Sequence, residues 1–168
     1  KQFADEKFAQ TVGNIIDGAG IDARRLEFEL TETAIMAHGE HTEHCMQAIR
    51  ALGPTFSLDD FGTGYSSFAH IQRLPIGALK IDRSFVKNLP VTQDDATIVK
   101  AMISLAHNLG LVVIAEGAET VEQVRFLREH ACDQVQGYYF SRPLRFPDLM
   151  HKIQPDVHPL ARAGLNLA

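Results

Sequence analysis

Apolar residues in this chain recur at helical spacing, then at strand spacing, and each switch marks a new element. Phe8, Val12 and Ile15 stand at i, i+4 and i+7, which predicts a helix over residues 3–17 that stops at Gly18 and Gly20. Leu26, Phe28 and Leu30 then alternate with Glu27, Glu29 and Thr31, a strand with one apolar and one polar face. Cys45, Ile49 and Leu52 share one side of a second helix that ends at Gly53-Pro54. A strand over 55–58 runs into Asp59-Asp60 and the Gly-rich loop FGTGYSS, followed by a helical turn at 68–73 and a strand at 78–81. The helix at 94–108 has Ile98, Met102, Leu105 and Leu109 as its stripe, acids in its first turn and Gly110 past its end. LVVIA, 111–115, is an all-apolar strand of the buried parallel type. Thr120 and Gln123 fit a capping box for a helix reaching Glu129, and residues 134–136 form a last short strand.

Strands alternating with helices imply parallel pairing through helical crossovers. Such a run fits either a doubly wound open sheet or part of a closed barrel. The polar positions favour the barrel: Glu29, Asp59, Lys80 and Gln136 all fall on the inward parity of their strands. Side chains facing a barrel's helices must be apolar, whereas those facing the axis near the mouth are free to be polar. A complete eight-stranded barrel takes about 250 residues, and this chain has 168. The expected fold is therefore α/β, a partial TIM-like barrel of about five βα units whose N-terminal strands lie upstream of Lys1. The helical start at Lys1, with no Met and no N-cap, agrees with this. The domain is expected over 1–150, with a helix end and tail over 151–168.

Composition narrows the function. Hydrophobic residues make up 45% and charged residues 22%, an ordinary globular balance. A net charge of −5 without a long run of one sign weighs against a nucleic-acid scaffold, so no DNA or RNA partner is expected. No apolar run approaches the roughly 20 residues needed to span a membrane. Cys45 and Cys132 are far apart and form no metal-type pair, which suits reduced thiols in the cytoplasm.

The informative chemistry lies at the strand ends. Glu29, Asp59 with Asp60, Lys80 with Asp82, Glu116 and Gln136 occur on or just past five successive strands. In a β/α barrel that is the mouth, where active sites are assembled. Carboxylates with one Lys among them suit divalent-metal and phosphate chemistry. Taken singly, each has a plainer reading: an ion-paired barrel residue, a solvated loop start, or, for Glu119 above all, an acid drawn to a helix N-terminus. Their concurrence favours a site. Gly62-Thr63-Gly64 reads better as a tight turn than as a phosphate loop. His38, His41 and His44 read as an exposed helix start, and Tyr138, Tyr139 and Phe140 as either a base-binding wall or rim packing.

The runs ELTE (29–32), DDFGTGYSS (59–67), LKIDRSFV (79–86), IAEGAET (114–120) and QGYYFSRPL (136–144) resemble the EAL-domain family, phosphodiesterases of the bacterial second messenger cyclic di-GMP. The resemblance covers the chain to about Leu144, in the family's order and spacing. It implies a modified β/α barrel with two Mg²⁺ or Mn²⁺ ions at its mouth. By this resemblance Glu29, Asp59, Asp60 and Glu116 are metal ligands, Asp59 being shared. Lys80 would stand by the attacking water and the phosphate, Glu116 would act as general base, and Gln136 would position the water. Glu32 would brace the loop after Asp59, and Glu119 would be a supporting acid. Asp82, Gly137, Tyr138 and Pro143 would meet the substrate. A homodimer formed through this domain is a further implication, as is a parent protein that can be membrane-tethered.

One departure stands out. No Glu-Ala-Leu occurs in the 168 residues, and the family's Asn ligand would fall just before Lys1. The chain thus looks like the C-terminal two-thirds of the domain, expected to be inactive by itself. The competing reading is a catalytically silent EAL domain that binds cyclic di-GMP or mediates dimerisation. A silent member is expected to have lost acids in the DDFGTGYSS or AEG runs, and this chain retains them.

Overall fold

The structure is a computed structural model that describes residues 2–5, 7–36, 39–62 and 71–153. Five strands, β1 (Glu27–Thr31), β2 (Thr55–Phe61), β3 (Ala78–Ile81), β4 (Val112–Ala115) and β5 (Gln134–Val135), pair in that order. Every pair is parallel. A doubly wound sheet reverses its strand order at a switch point. This one never reverses, so it curves one way, as the wall of a TIM-like barrel.

The helices are α1 (Phe8–Ala19), α2 (Glu32–Met36), α3 (Gly39–Ala51), α4 (Arg83–Val86), α5 (Gln93–Asn108), α6 (Val121–Glu129) and α7 (Phe146–Lys152). Register shows what the strand alternation achieves. Glu29 lies beside Ser57, Ser57 beside Ala78, and Lys80 beside Ile114, so the polar positions share the axis-facing side. The other side carries Phe56, Leu58, Leu79, Ile81 and Val113, each at most 1% exposed. Met46 and Ile49 of α3, Val99, Ile103 and Ala106 of α5, and Leu127 of α6 complete that core. Full burial of such a side chain is worth roughly 1.5–3 kcal/mol, which fixes strand register far more firmly than propensity does.

Several element readings agree with the structure, among them the strand at 78–81 and the Thr120–Gln123 capping box that opens α6. Others differ. Helix α1 starts only at Phe8, after a 3-10 turn at Gln2–Ala4, and continues to Ala19, where Gly20 caps it at φ 63°. Ile15 is exposed, and Ile16 joins Val12 in the core instead. In α5 the buried side is Ala96, Val99, Met102, Ile103 and Ala106, while Ile98 faces solvent and Leu105 and Leu109 are half-buried. The small Ala96 and Ala106 let the helix approach the sheet closely, which turns it away from the stripe of larger residues. In α3, Met46 joins Ile49 as the buried pair, and Leu52, past the helix end, is exposed. Helix α2, unforeseen, starts directly after β1, where Thr31 Oγ1 accepts a hydrogen bond from Ala34 N (3.3 Å).

β2 also runs further than expected, through both acids to Phe61. A bulge makes this possible: Leu58 pairs with Leu79 and Phe61 with Ile81, so the bulged strand holds one residue more than its partner. Asp60 takes the strain at φ 54°. His41 and His44 are exposed on α3, as expected. His38, Thr63, Gly64, residues 68–70 of the expected turn at 68–73 and the tail beyond Ile153 lie outside the described residues.

Candidate active site

Lys80 is the centre. Its side chain is 5% exposed, and its Nζ lies 2.6 Å from Glu116 Oε1, 2.8 Å from Glu29 Oε1 and 3.4 Å from Asp59 Oδ1. Glu29 is on β1, Asp59 on β2 and Lys80 on β3. Glu116 follows β4, its backbone N bonded to Ile81 O (3.1 Å). A buried unpaired ammonium is costly, and parallel neighbours in register supply its counter-charges. Burial works to discharge Lys80, but hydrogen bonds to Glu116 and Glu29, with the charges of Glu116 and Asp59, outweigh it and hold the ammonium above its ordinary range.

The acids around it are held in different ways. Asp59 Oδ1 is buried and accepts no hydrogen bond; the Lys80 contact at 3.4 Å neutralises it by charge alone. Asp60 is pushed up by burial and then by the charges of Asp59 and Asp82, with Lys80 acting the other way. Asp82 caps α4, accepting from Ser84 N at 3.0 Å. Burial works to raise it, but its bonds to Ser84 and Arg83 and the charge of Lys87 hold the carboxyl below its usual range.

A cavity of about 810 Å³ opens on the axis side, lined by Glu29, Lys80, Gln136, Gly137, Tyr138 and Pro143 among others. The structure thus gathers these six candidate site residues around one space. Asp59, Asp60, Asp82 and Glu116 do not line that cavity; Asp59 and Glu116 reach it through Lys80. Glu32 is buried at the first position of α2, and residues 63–67 of the loop it is expected to brace fall outside the described residues. Glu119 turns instead to Arg83, 2.5 Å away.

The donor set suits a hard divalent cation, since it offers carboxylate oxygens and one of them, Asp59 Oδ1, is buried without a donor. Among the described residues no three such side chains stand close enough together to hold the ion by themselves.

Reading strand ends for acids missed the cationic side of the cavity. Arg128 and Arg142 line it, and the Arg142 guanidinium lies over the Tyr138 ring, 4.8 Å from its centroid. Arg83 and Gln123 were also passed over. The signal for Gln123 was there, as a polar residue read only as half of a capping box.

Fold and site together define a β/α-barrel domain with a carboxylate-rich mouth gathered around one buried lysine. The chain belongs to the EAL-domain family, whose model matches residues 1–143. It is 50% identical over 133 residues to the cyclic di-GMP phosphodiesterase NbdA of Pseudomonas aeruginosa, covering 79% of this chain and 17% of that protein. The bifunctional diguanylate cyclase/cyclic di-GMP phosphodiesterase MucR of the same organism is 36% identical over 152 residues, 90% of this chain and 22% of MucR. The chain therefore spans about a fifth of the length of these curated relatives. Among solved structures, the MucR phosphodiesterase in complex with c-di-GMP aligns at TM-score 0.83 and 37% identity, over 88% of this chain and 60% of that one. The EAL domain of Mycobacterium smegmatis DcpA aligns at TM-score 0.83 and 34% identity, over 89% and 67%.

Proposed function

We propose that this chain is the C-terminal two-thirds of a cyclic di-GMP phosphodiesterase domain that yields linear pGpG. The observation that carries the reading is Lys80, a buried ammonium held among carboxylates from three other strand ends. Such a centre has positive charge for a phosphate oxygen and acids for the water that attacks. Water adds to phosphorus, the P–O3′ bond of one diester breaks, and the proton lost by the water ends on the leaving oxygen. In this reading Glu116 accepts that proton and Gln136 aims the water. Lys80, charged across the working pH range, offsets the negative charge that grows on the phosphoryl oxygens. Glu29, Asp59, Asp60 and Glu116, with the family's upstream Glu and Asn, would hold Mg²⁺ or Mn²⁺. Such ions, when bound, would supply Lewis acidity for activating the water and charge to offset that developing on the phosphoryl group.

Tyr138, with Gly137 and Pro143, faces the cavity that would take the dinucleotide, and Asp82 supports from the start of α4. Glu32 and Glu119 act as supporting acids. The domain works in the cytoplasm, where its messenger is used, and pairs with a second copy. No helix among the described residues is long and apolar enough to cross a membrane.

The test is hydrolysis of cyclic di-GMP by the full-length protein with Mg²⁺ or Mn²⁺, against an EDTA control. Metal-dependent pGpG formation, abolished by Asp59→Ala, is expected. Tight binding without turnover would replace this reading with a receptor role.

A further inference from the structure

The loop that carries Glu116, between β4 and α6, is held from two sides, and on one of them by two residues, Arg83 and Gln123, to which the proposed reaction gives no part. On one side stands α4, which begins three residues after Lys80. Arg83, its first residue, lays its aliphatic stem along Gly117: a Cβ at that position would overlap Arg83 Cγ and lie 2.7 Å from its Cβ. Gly117 also has φ 72°, in the left-handed region that favours glycine. Past the glycine, the Arg83 guanidinium reaches Glu119 (2.5 Å). A second strap runs through Gln123, 4% exposed. Its Oε1 accepts from Glu119 N (2.7 Å) and Thr120 N (2.9 Å), and its Nε2 donates to Lys87 O (2.9 Å), just past the end of α4.

On the other side, Ala118 N donates to Gln136 O (3.1 Å) and Tyr139 N donates to Ala118 O (3.0 Å). Gly137 lies so close that a Cβ there would overlap the Ala118 carbonyl oxygen. The loop is therefore clamped between the helix that follows Lys80 and the segment that carries Gln136. The Glu116–Lys80 contact of 2.6 Å is set within that clamp.

We infer that Arg83 is a positioning residue for Glu116, acting through its grip on Gly117 and Glu119. The inference rests on the phosphodiesterase reading of the same site. Arg83 and Glu119 are both about half-exposed, and a pair of that kind adds little to stability. Its effect is geometric. Without the Arg83 stem, Gly117 is the one residue in the loop free to rotate, and Glu116 moves with it.

In the full-length protein assayed with cyclic di-GMP and Mg²⁺, Arg83→Ala is expected to lower kcat roughly 10- to 100-fold. KM should stay within about threefold, the split that marks a loss confined to the transition state. Arg83→Lys, which keeps stem and charge, should restore most of the rate. Glu119→Ala should resemble Arg83→Ala, and the double variant should be no slower than the slower single one, because both act through one clasp. Arg83→Ala with kcat unchanged, or losses that multiply in the double variant, would overturn the inference. If the wild-type protein does not hydrolyse cyclic di-GMP, the phosphodiesterase reading fails separately. Amide hydrogen exchange then judges the clasp: Arg83→Ala should speed exchange at Glu116 and Ala118 but not at Val99 or Leu127. Unchanged exchange at Glu116 and Ala118 would refute it.

Discussion

Replacing Lys80 by Met would leave Glu29, Asp59 and Glu116 facing one another with no counter-charge. Removing one partner of a buried ion pair costs about 3–5 kcal/mol. Glu29 is half-exposed, so the lower end applies here, and urea unfolding should show it. The deficit should shrink as pH falls and the acids protonate; a gap independent of pH would mean that repulsion is not the cause. In the wild type the sign is the reverse of the usual acid case. A lysine held above its ordinary range stabilises fully below about pH 10.4 and loses that contribution only as pH rises further. Cys132 behaves similarly for a different reason: burial pushes its thiol up to about 11. Its neutral form stabilises the fold below about pH 8.5, and that contribution fades as pH climbs towards 11. At pH 8 Cys132 should react with a thiol reagent at least about a hundredfold more slowly than in the unfolded chain. Equal rates would show the thiol to be accessible and ordinary. Lys80 and the acids were legible in the sequence, because polar residues at strand ends announce themselves. Which of them touch was not legible, since Glu29, Asp59 and Glu116 reach Lys80 from three other strands.

A single extra residue in β2 turns a strand end into an acid pair. The bulge between Leu58 and Phe61 lets the strand go on past Asp59, and it leaves Asp60 at φ 54°. Asn tolerates that conformation, whereas a β-branched side chain does not. Asp60→Asn should melt close to the wild type, and Asp60→Val should lose about 1–3 kcal/mol in urea unfolding. Equal stability of the two would argue against strain at the bulge. The sequence offered Asp59-Asp60 as a strand end and no sign of the bulge, which arises from pairing with β3. Helix α5 teaches the same lesson. Its apolar residues fall on more than one side, so the period alone chose Ile98 and Leu105, and contact with the sheet chose Val99 and Ile103. Helix α6 was read correctly because its start is local: Thr120 and Gln123 bond each other's backbone wherever the helix lies.

Across the described residues, one side of the sheet is apolar and covered by helices, and the other carries the polar strand residues beside Ala78, Val112 and Ile114 and faces a cavity. The axis side carries Glu27, Glu29 and Lys80 around the 810 Å³ space, so a cation bound there would be tied to global stability by mass action. At a hundred times its dissociation constant, Mg²⁺ or Mn²⁺ should stabilise the full-length protein by about 2.7 kcal/mol, read as a rise in melting temperature. Asp59→Ala should abolish that rise, and a melting temperature indifferent to metal in the wild type would reject the proposed ligands. By itself the sequence determined the alternation of strand and helix, the two faces of each strand, and the acids and lysine at the strand ends, because these follow from local spacing and from the cost of burying charge. Only the tertiary structure decided the unreversed strand order, the rotation of α5, the bulge at Asp60 and the grip of Arg83 on the Glu116 loop. Each of these depends on which surfaces meet, and that is settled by packing between residues far apart in the chain.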